Sequence, residues 1–563
     1  MAHGPQDPSL VARLVTARVN RRRLIQGAGG LATGAALTSA RGNVSFASSG
    51  MSRSSVAHAL QDAKKGGTLV SMVVAEPTSM DIASGTGQHN YSVMCNVFEN
   101  LLEYDDTGFQ TRPALAESFD VSPDGMVYTF HLRQNVVFHD GTPMDAEAVK
   151  FSYQRILDPE NEFFKIGQPF PLIDFWYEAI DPNNIEVKDQ HTVVFTLKKP
   201  HSTLDAFLAW PAAAIVSPTA VKKYGKDFRV NPVGTGPFMF KEWVPNQRVE
   251  FVRFDQYWKG PAALDGLIFR PIIEEQTRIT ELQAGNIDFA YDLPPDNVGQ
   301  VKQDSNVRFY EVPLGHVWFL VMNTKTGPTK DVKVRQAVAY AIDREAIIKD
   351  ILNSTGVPAN GPIPSVIGSL YGIDDAPYYT YDPEKARALL EEAGLGDGFE
   401  TRFWVPQSGS GMQSPRFMGE AIQAMLGEVG ITAKLEVSEW GAYIDTYAKG
   451  LPDDVSFAEC SWFATDARNI PNLTVTCATA SPAGYNAGYY CSSEVDALID
   501  EFSRTLDQEQ QGELLAQLQK IIYNDVPNVY VDSQLGTAAI SQKYDGFNLH
   551  PSQLLRFYTA HLA

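Results

Sequence analysis

The 563-residue chain is poor in the features that mark most enzymes and membrane proteins. It has four cysteines, Cys95, Cys460, Cys477 and Cys491, none of them in a CxxC pair and none with a histidine at metal-ligand spacing. That argues against a structural zinc site or a thioredoxin-type centre. Ten histidines are scattered along the chain, and only His131 and His139 are close. They stand eight residues apart across a turn, a poor metal spacing, so a structural role is expected and no metal or cofactor is called for. No GxSxG, HExxH, GxxxxGK[ST] or GxGxxG occurs, which removes the common nucleophile, zincin and nucleotide-binding readings. Beyond the N-terminal segment there is no run of about 18 apolar residues, so no membrane-spanning helix is expected there.

Positive charge is also scarce. The formal net charge is −21. Residues 1–47 hold six Arg and one Asp, so the rest of the chain carries 40 basic and 66 acidic residues, a balance of −26. A surface of that sign disfavours nucleic acid and anionic membranes as partners. It does not fix the charge of a pocket.

Basic residues do concentrate at the N-terminus. Asn20-Arg21-Arg22-Arg23-Leu24-Ile25 precedes a mildly apolar Gly/Ala/Thr stretch, Gln26 to Ala40, and two small-residue cleavage sites follow at Thr38-Ser39-Ala40 and Ser45-Phe46-Ala47. This resembles a twin-arginine export signal over 1–47, with a Ser/Ala-rich linker over 48–65. No Cys follows the apolar stretch before Cys95, so a lipid-modified cysteine is not expected. The chain is thus read as exported to the periplasm or cell surface.

Strand and helix signals then alternate without a repeat, which indicates α/β lobes. Leu69 to Val74 and Thr192 to Leu197 read as strands. Ser122-Pro123-Asp124-Gly125 is a turn. After it, alternation over Val127–Arg133 predicts a half-buried strand, Val136 to Phe138 a short second strand, and Asp145 a helix cap. A hairpin is expected after a Gly234–Phe240 turn, continuing through Val249, Phe251 and Arg253. Asp382-Pro383 opens a helix that Gly394 closes. Ser414 to Val429 is amphipathic, and Thr432 to Val437 is the strand after it.

Four collinear segments carry a family resemblance. Residues 113–143 read PALAESFDVSPDGMVYTFHLRQNVVFHDGTP; 231–238 read NPVGTGPF; 331–342 read DVKVRQAVAYAI; and 381–394 read YDPEKARALLEEAG. Together they resemble the family 5 extracellular solute-binding proteins, the dipeptide- and oligopeptide-binding components of ABC importers, from about Gly66 to the C-terminus. The resemblance implies an α/β, two-lobed periplasmic-binding-protein (type II) fold with an extra domain inserted in the first lobe. It places lobe I at 66–110, 231–312 and 530–563, the insert at 111–230 and lobe II at 313–529. Crossings between the lobes fall near Val312 to Asn323 and Val526 to Gln534, two apolar stretches that could equally be ordinary core strands.

The resemblance also implies a non-enzymatic monomer that captures a peptide or similar solute and hands it to a membrane permease. Candidate ligand contacts are Thr86, Trp404, Gly409, Trp440, Trp462, Thr465 and Asp466, with the three tryptophans open to a plain core reading. Dipeptide-binding relatives carry an Asp three residues after the tryptophan matching Trp462, for the peptide ammonium. They carry an Arg at the position of Gly409, for the carboxylate. Here Thr465 and Gly409 stand in those places, so a plain dipeptide is disfavoured. A longer peptide, an uncharged solute or an oligosaccharide remains open. Asp466 is a substitute for the missing carboxylate or else a helix cap or loop residue, and Arg416 is a remote candidate for the other end. A secreted hydrolase would use Glu439 and Asp466. Similar relatives carry bracketing cysteines that imply a Cys477–Cys491 disulfide, leaving Cys95 and Cys460 as buried thiols.

Overall fold

The computed structural model describes residues 63–563 apart from 86, 168, 170–172, 174, 175, 374, 375 and 410. The export signal, most of the linker and Thr86 therefore lie outside the described residues. No described helix is long and apolar enough to cross a membrane.

One strand organises the architecture. Asn528–Ser541 is 14 residues long and buried over nearly its whole length, so it spans about 45 Å at roughly 3.3 Å per residue. Its first half pairs with His316–Met322 and Gly356–Pro358, its second half with Phe289–Tyr291 and Val307–Pro313. It thereby joins two half-sheets into one hydrogen-bonded network. The first half-sheet adds Thr68–Val73, Gly266–Pro271, Arg248–Arg253 and Phe238–Val244; the second adds Val455–Phe463, Phe399–Pro406 and Ile431–Ser438. The chain crosses once through Val307–Pro313 and His316–Met322, and returns through Asn528–Ser541. Between the halves Leu314 N–H donates to the Gln534 carbonyl, 2.9 Å away. These strands overlap the two stretches expected to cross, Val312 to Asn323 and Val526 to Gln534.

A separate four-stranded antiparallel sheet, Ala116–Val121, Val127–Leu132, Thr192–Leu197 and Ile180–Asp189 in spatial order, pairs with neither half. On that ground we propose 111–230 as the inserted unit. Its hairpin forms around the Ser122–Gly125 turn, but the partner of Val127–Leu132 is the preceding strand, Ala116–Val121. The expected second strand at Val136 to Phe138 reduces to an isolated bridge between Val137 and Pro143. Val136 and Phe138 are instead buried in the core, with their backbone bonded locally to Met144 and Thr142. Asp145 caps as its position implies: it accepts from Ala148 N–H at 3.0 Å and starts the helix Ala146–Leu157. The later hairpin turns at 245–247, not at 234–240, because Asn246 takes the positive φ that the tight turn requires.

The family-like segments explain one another by contact. His139 N–H donates to the Gly234 carbonyl at 2.9 Å, and its Nε2 lies 2.9 Å from the Gly236 carbonyl. This joins the first segment to the second and gives His139 its structural role. Asp331 caps Val332–Ala341, and Asp382 caps Pro383–Glu392, whose helix ends at Gly394 with φ +76°. These two helices are tied through Asp382 N–H on the Tyr340 carbonyl and Lys385 Nζ on the Tyr340 hydroxyl, 2.6 Å. Cys477 and Cys491 form a disulfide, while Cys460 is a buried thiol and Cys95 a half-buried one.

Candidate functional site

In the second half-sheet Phe399–Pro406 runs parallel to both Ile431–Ser438 and Val455–Phe463. Their C-terminal ends, Pro406, Ser438 and Phe463, therefore share one edge. Phe463 lies opposite His316, where the crossing strand enters. A crevice at the carboxyl ends of parallel strands is where open α/β sheets bind ligands. Here that edge faces the first half: the Phe463 ring packs 5.9 Å from Phe109 and 5.2 Å from Trp210.

Most of the sequence candidates gather at this edge. Trp404 pairs with Glu436 near the end of its strand and is half-buried. Trp440 opens the helix Trp440–Tyr447 and stacks on Tyr443. Trp462 meets Tyr485 edge-on at 5.0 Å, and its indole N–H is buried without a partner among the described residues. Thr465 is buried beside the Tyr104 hydroxyl.

Gly409 has a steric reason to be glycine. A Cβ there would lie 2.8 Å from both Met412 Sδ and the Trp440 ring. The space a longer side chain would need is occupied by the Trp440 ring. Arg416 does not supply a cation. It sits on the exposed face of its helix, paired with Glu420 at 2.9 Å.

Asp466 is 3 % exposed, and both its oxygens are engaged. One accepts from the N–H groups of Arg468 (3.1 Å) and Asn469 (2.7 Å) at the start of the helix Asn469–Val475; the other accepts from the Thr203 hydroxyl. Burial pushes its carboxyl upward, with Arg468 pulling the other way. We propose that Asp466 is a brace at the helix start and a tie to the segment carrying Thr203, in preference to a ligand contact. Asp466→Ala is then expected to cost about 2–3 kcal/mol, from the lost hydrogen bonds to a charged group. A double-mutant cycle with Thr203→Val, read by urea melts, should show the coupling. Independent, additive effects would contradict it. Glu439 likewise caps the Trp440 helix through the Gly441 and Ala442 amides, which hold its carboxyl below the usual range.

Sequence reasoning missed several buried polar groups on the second half-sheet: His316, Trp318, Glu459, Ser461 and Asp532. The available signal was an acid inside an otherwise apolar strand, as in Val529-Tyr530-Val531-Asp532 and Phe457-Ala458-Glu459-Cys460. Both Glu459 oxygens are buried without a partner among the described residues. Burial raises its carboxyl well above the ordinary range, and raises that of Asp532 to about 7; no cation among the described residues offsets either. An unfolded Asp titrates near 4. The folded chain therefore binds more protons than the unfolded chain between about pH 4 and 7, and the Asp532 contribution to stability is lost as pH rises through that window. Thermal melts of the ligand-free protein should fall more steeply over pH 4–7 in wild type than in Asp532→Asn, and run parallel above it.

With this geometry in view, the comparisons with known proteins are decisive. A profile for bacterial extracellular solute-binding proteins, family 5 (middle region), matches residues 110–481. The chain belongs to this family. A glutathione-binding protein of Pectobacterium atrosepticum is 32 % identical over 490 residues, covering 86 % of this chain and 92 % of its own. The heme-binding protein A of Haemophilus influenzae is 32 % identical over 475 residues, covering 82 % and 86 %. Among solved structures, the periplasmic binding protein DppA of Helicobacter pylori, in complex with the peptide STSA, superposes with a TM-score of 0.75 at 29 % identity, covering 89 % of this chain and 98 % of that one. Family 5 proteins are solute binders. The two-lobed α/β fold, the crossing strands and the disulfide agree with what the sequence resemblance implied.

Proposed function

We propose that this chain is the solute-capturing component of an ABC importer, that its solute is a peptide or a peptide-like molecule, and that a membrane permease receives it. The observation that carries the reading is the aromatic-walled crevice at the strand ends where the two half-sheets meet through only two crossings. A body built on two crossings can open and close around a ligand, and closure is driven by the ligand's preference for the closed form. A micromolar ligand supplies about 8 kcal/mol toward that preference. The named ligands of relatives, glutathione and the peptide STSA, are the chemical precedent. The structural roles of Glu439 and Asp466 leave the hydrolase reading without its carboxylates. We further propose export through 1–47, action outside the cytoplasm as a monomer, and solvent-side oxidation of Cys477 and Cys491, since disulfides persist in oxidising compartments.

The test is native mass spectrometry of residues 48–563 as purified, followed by denaturation, and then the same after incubation with a pool of randomised tetrapeptides. Intact peptide released on denaturation supports the reading. Release of a sugar, or no peptide retained from the pool, would move the ligand class. Cleaved peptide would restore the hydrolase.

A further inference from the structure

Three of the missed polar groups form a row. Trp318 lies directly opposite Ser461 on one side and Asp532 on the other. Directly opposed residues of paired strands present side chains to the same face, so all three share one. The row is close to the crossing at Leu314 and Gln534 and to the strand end at Phe463, with Trp318 packed into the apolar core of the second half. Asp532, Trp318 and Ser461 are 3 %, 1 % and 6 % exposed. Trp318 Nε1 and Ser461 Oγ are buried with no partner among the described residues. Above the row, Gln413 accepts from the Thr355 hydroxyl at 2.8 Å, while its Nε2 is also buried and unpaired.

Glycines roof this row. A Cβ on Gly356 would lie 2.8 Å from Asp532 Oδ2, and one on Gly411 would lie 2.6 Å from Ser461 Oγ. The row thus offers one carboxyl acceptor, two unused N–H donors and a hydroxyl. It offers no cation, and burial keeps the neighbouring His316 neutral at ordinary pH. A carboxyl buried without a counter-charge is costly, and the cost is recovered when a bound cation supplies one. The two donors want an acceptor beside that cation. An α-ammonium group next to its own carbonyl has both.

We propose that Asp532 holds the α-ammonium of the solute's amino-terminal residue and that Trp318 Nε1 and Gln413 Nε2 donate to the adjacent carbonyl oxygen. The ammonium is thereby held beside the crossing strands, not at Thr465. This assignment rests on the peptide reading above.

The experiment compares three probes on residues 48–563 by native mass spectrometry and calorimetry: the tetrapeptide pool, the same pool N-acetylated, and a mixture of free amino acids. The expected result is that acetylation weakens binding about tenfold or more, since it removes the charge that Asp532 pairs with. Asp532→Asn should abolish the preference for the free amine, and Trp318→Phe should weaken free-amine peptides while keeping that preference. Melts and circular dichroism check that the variants fold; should Asp532→Asn not fold, the wild-type comparison of the two pools still decides. Equal binding of acetylated and free pools, or an undiminished preference in folded Asp532→Asn, overturns the assignment while leaving a peptide binder. Binding of the free amino acids in place of the peptides keeps the subsite and changes the source of the ammonium. Binding of none of the three overturns both readings.

Discussion

Gly234→Ala is expected to destabilise the protein by about 3 kcal/mol or more, enough to lower soluble yield severely. A Cβ at this position would run into the Val97 carbonyl oxygen and stand 2.7 Å from the Phe98 ring. Backbone cannot step aside as a flexible side chain can. The segment is pinned there from both sides: Gly236 N–H donates to the Val97 carbonyl at 2.8 Å, Phe238 N–H to Asn96 at 3.1 Å, and Thr235 Oγ1 to Glu99 at 2.9 Å. Gly141→Ala is the matched comparison. Gly141 also has an unusual backbone, φ +80°, yet nothing lies within 4 Å of its Cβ position. Its cost should be about 1 kcal/mol, from conformational strain alone. Urea melts of the two variants separate packing from backbone strain, and similar midpoints would show that close approach is not what fixes Gly234.

Glu459→Leu is expected to stabilise the ligand-free protein by about 2–4 kcal/mol at neutral pH. A buried carboxyl with neither oxygen paired loses its hydration and regains nothing, whereas leucine of similar size fits an environment of Val405, Gly419 and Leu320. Glu459→Gln should gain far less, because the amide is equally unpaired. The pH dependence follows from direction. The folded carboxyl is held protonated well above its ordinary range, so the contribution of Glu459 to stability is fully present in acid and is lost as pH rises. The advantage of leucine should therefore grow from pH 4 to pH 8. A leucine variant that melts lower than wild type at pH 8 would mean that Glu459 has a partner in solution.

Both effects bear on legibility. Gly234 was conspicuous in the sequence as part of a family-like segment, but its purpose, contact with residues some 140 positions earlier in the chain, was not. Glu459 was unremarkable in the sequence, because one acid in an apolar strand reads as its exposed side. Only the covering helix Pro415–Glu428, with Gly419 over the carboxyl, turns it into a buried group.

The sequence by itself determined the local elements and the family. Turn residues, caps and period-two alternation act over a few positions, so Asp145, Asp382 and Gly394 were readable, and so were most strands. It erred at Val136 to Phe138 and at the turn before Val249, where the competing contacts are long-range. The tertiary structure alone decided the chemistry of the crevice. Asp466 became a tie because Thr203, over 260 positions away, takes its second oxygen. Gly409 became an aromatic contact because Trp440 fills its space. Asp532 became a buried acid because three strands distant in sequence set it in a row with Trp318 and Ser461. Charge, burial and hydrogen-bond supply depend on which distant residues arrive at a point, and residue spacing along the chain does not carry that information.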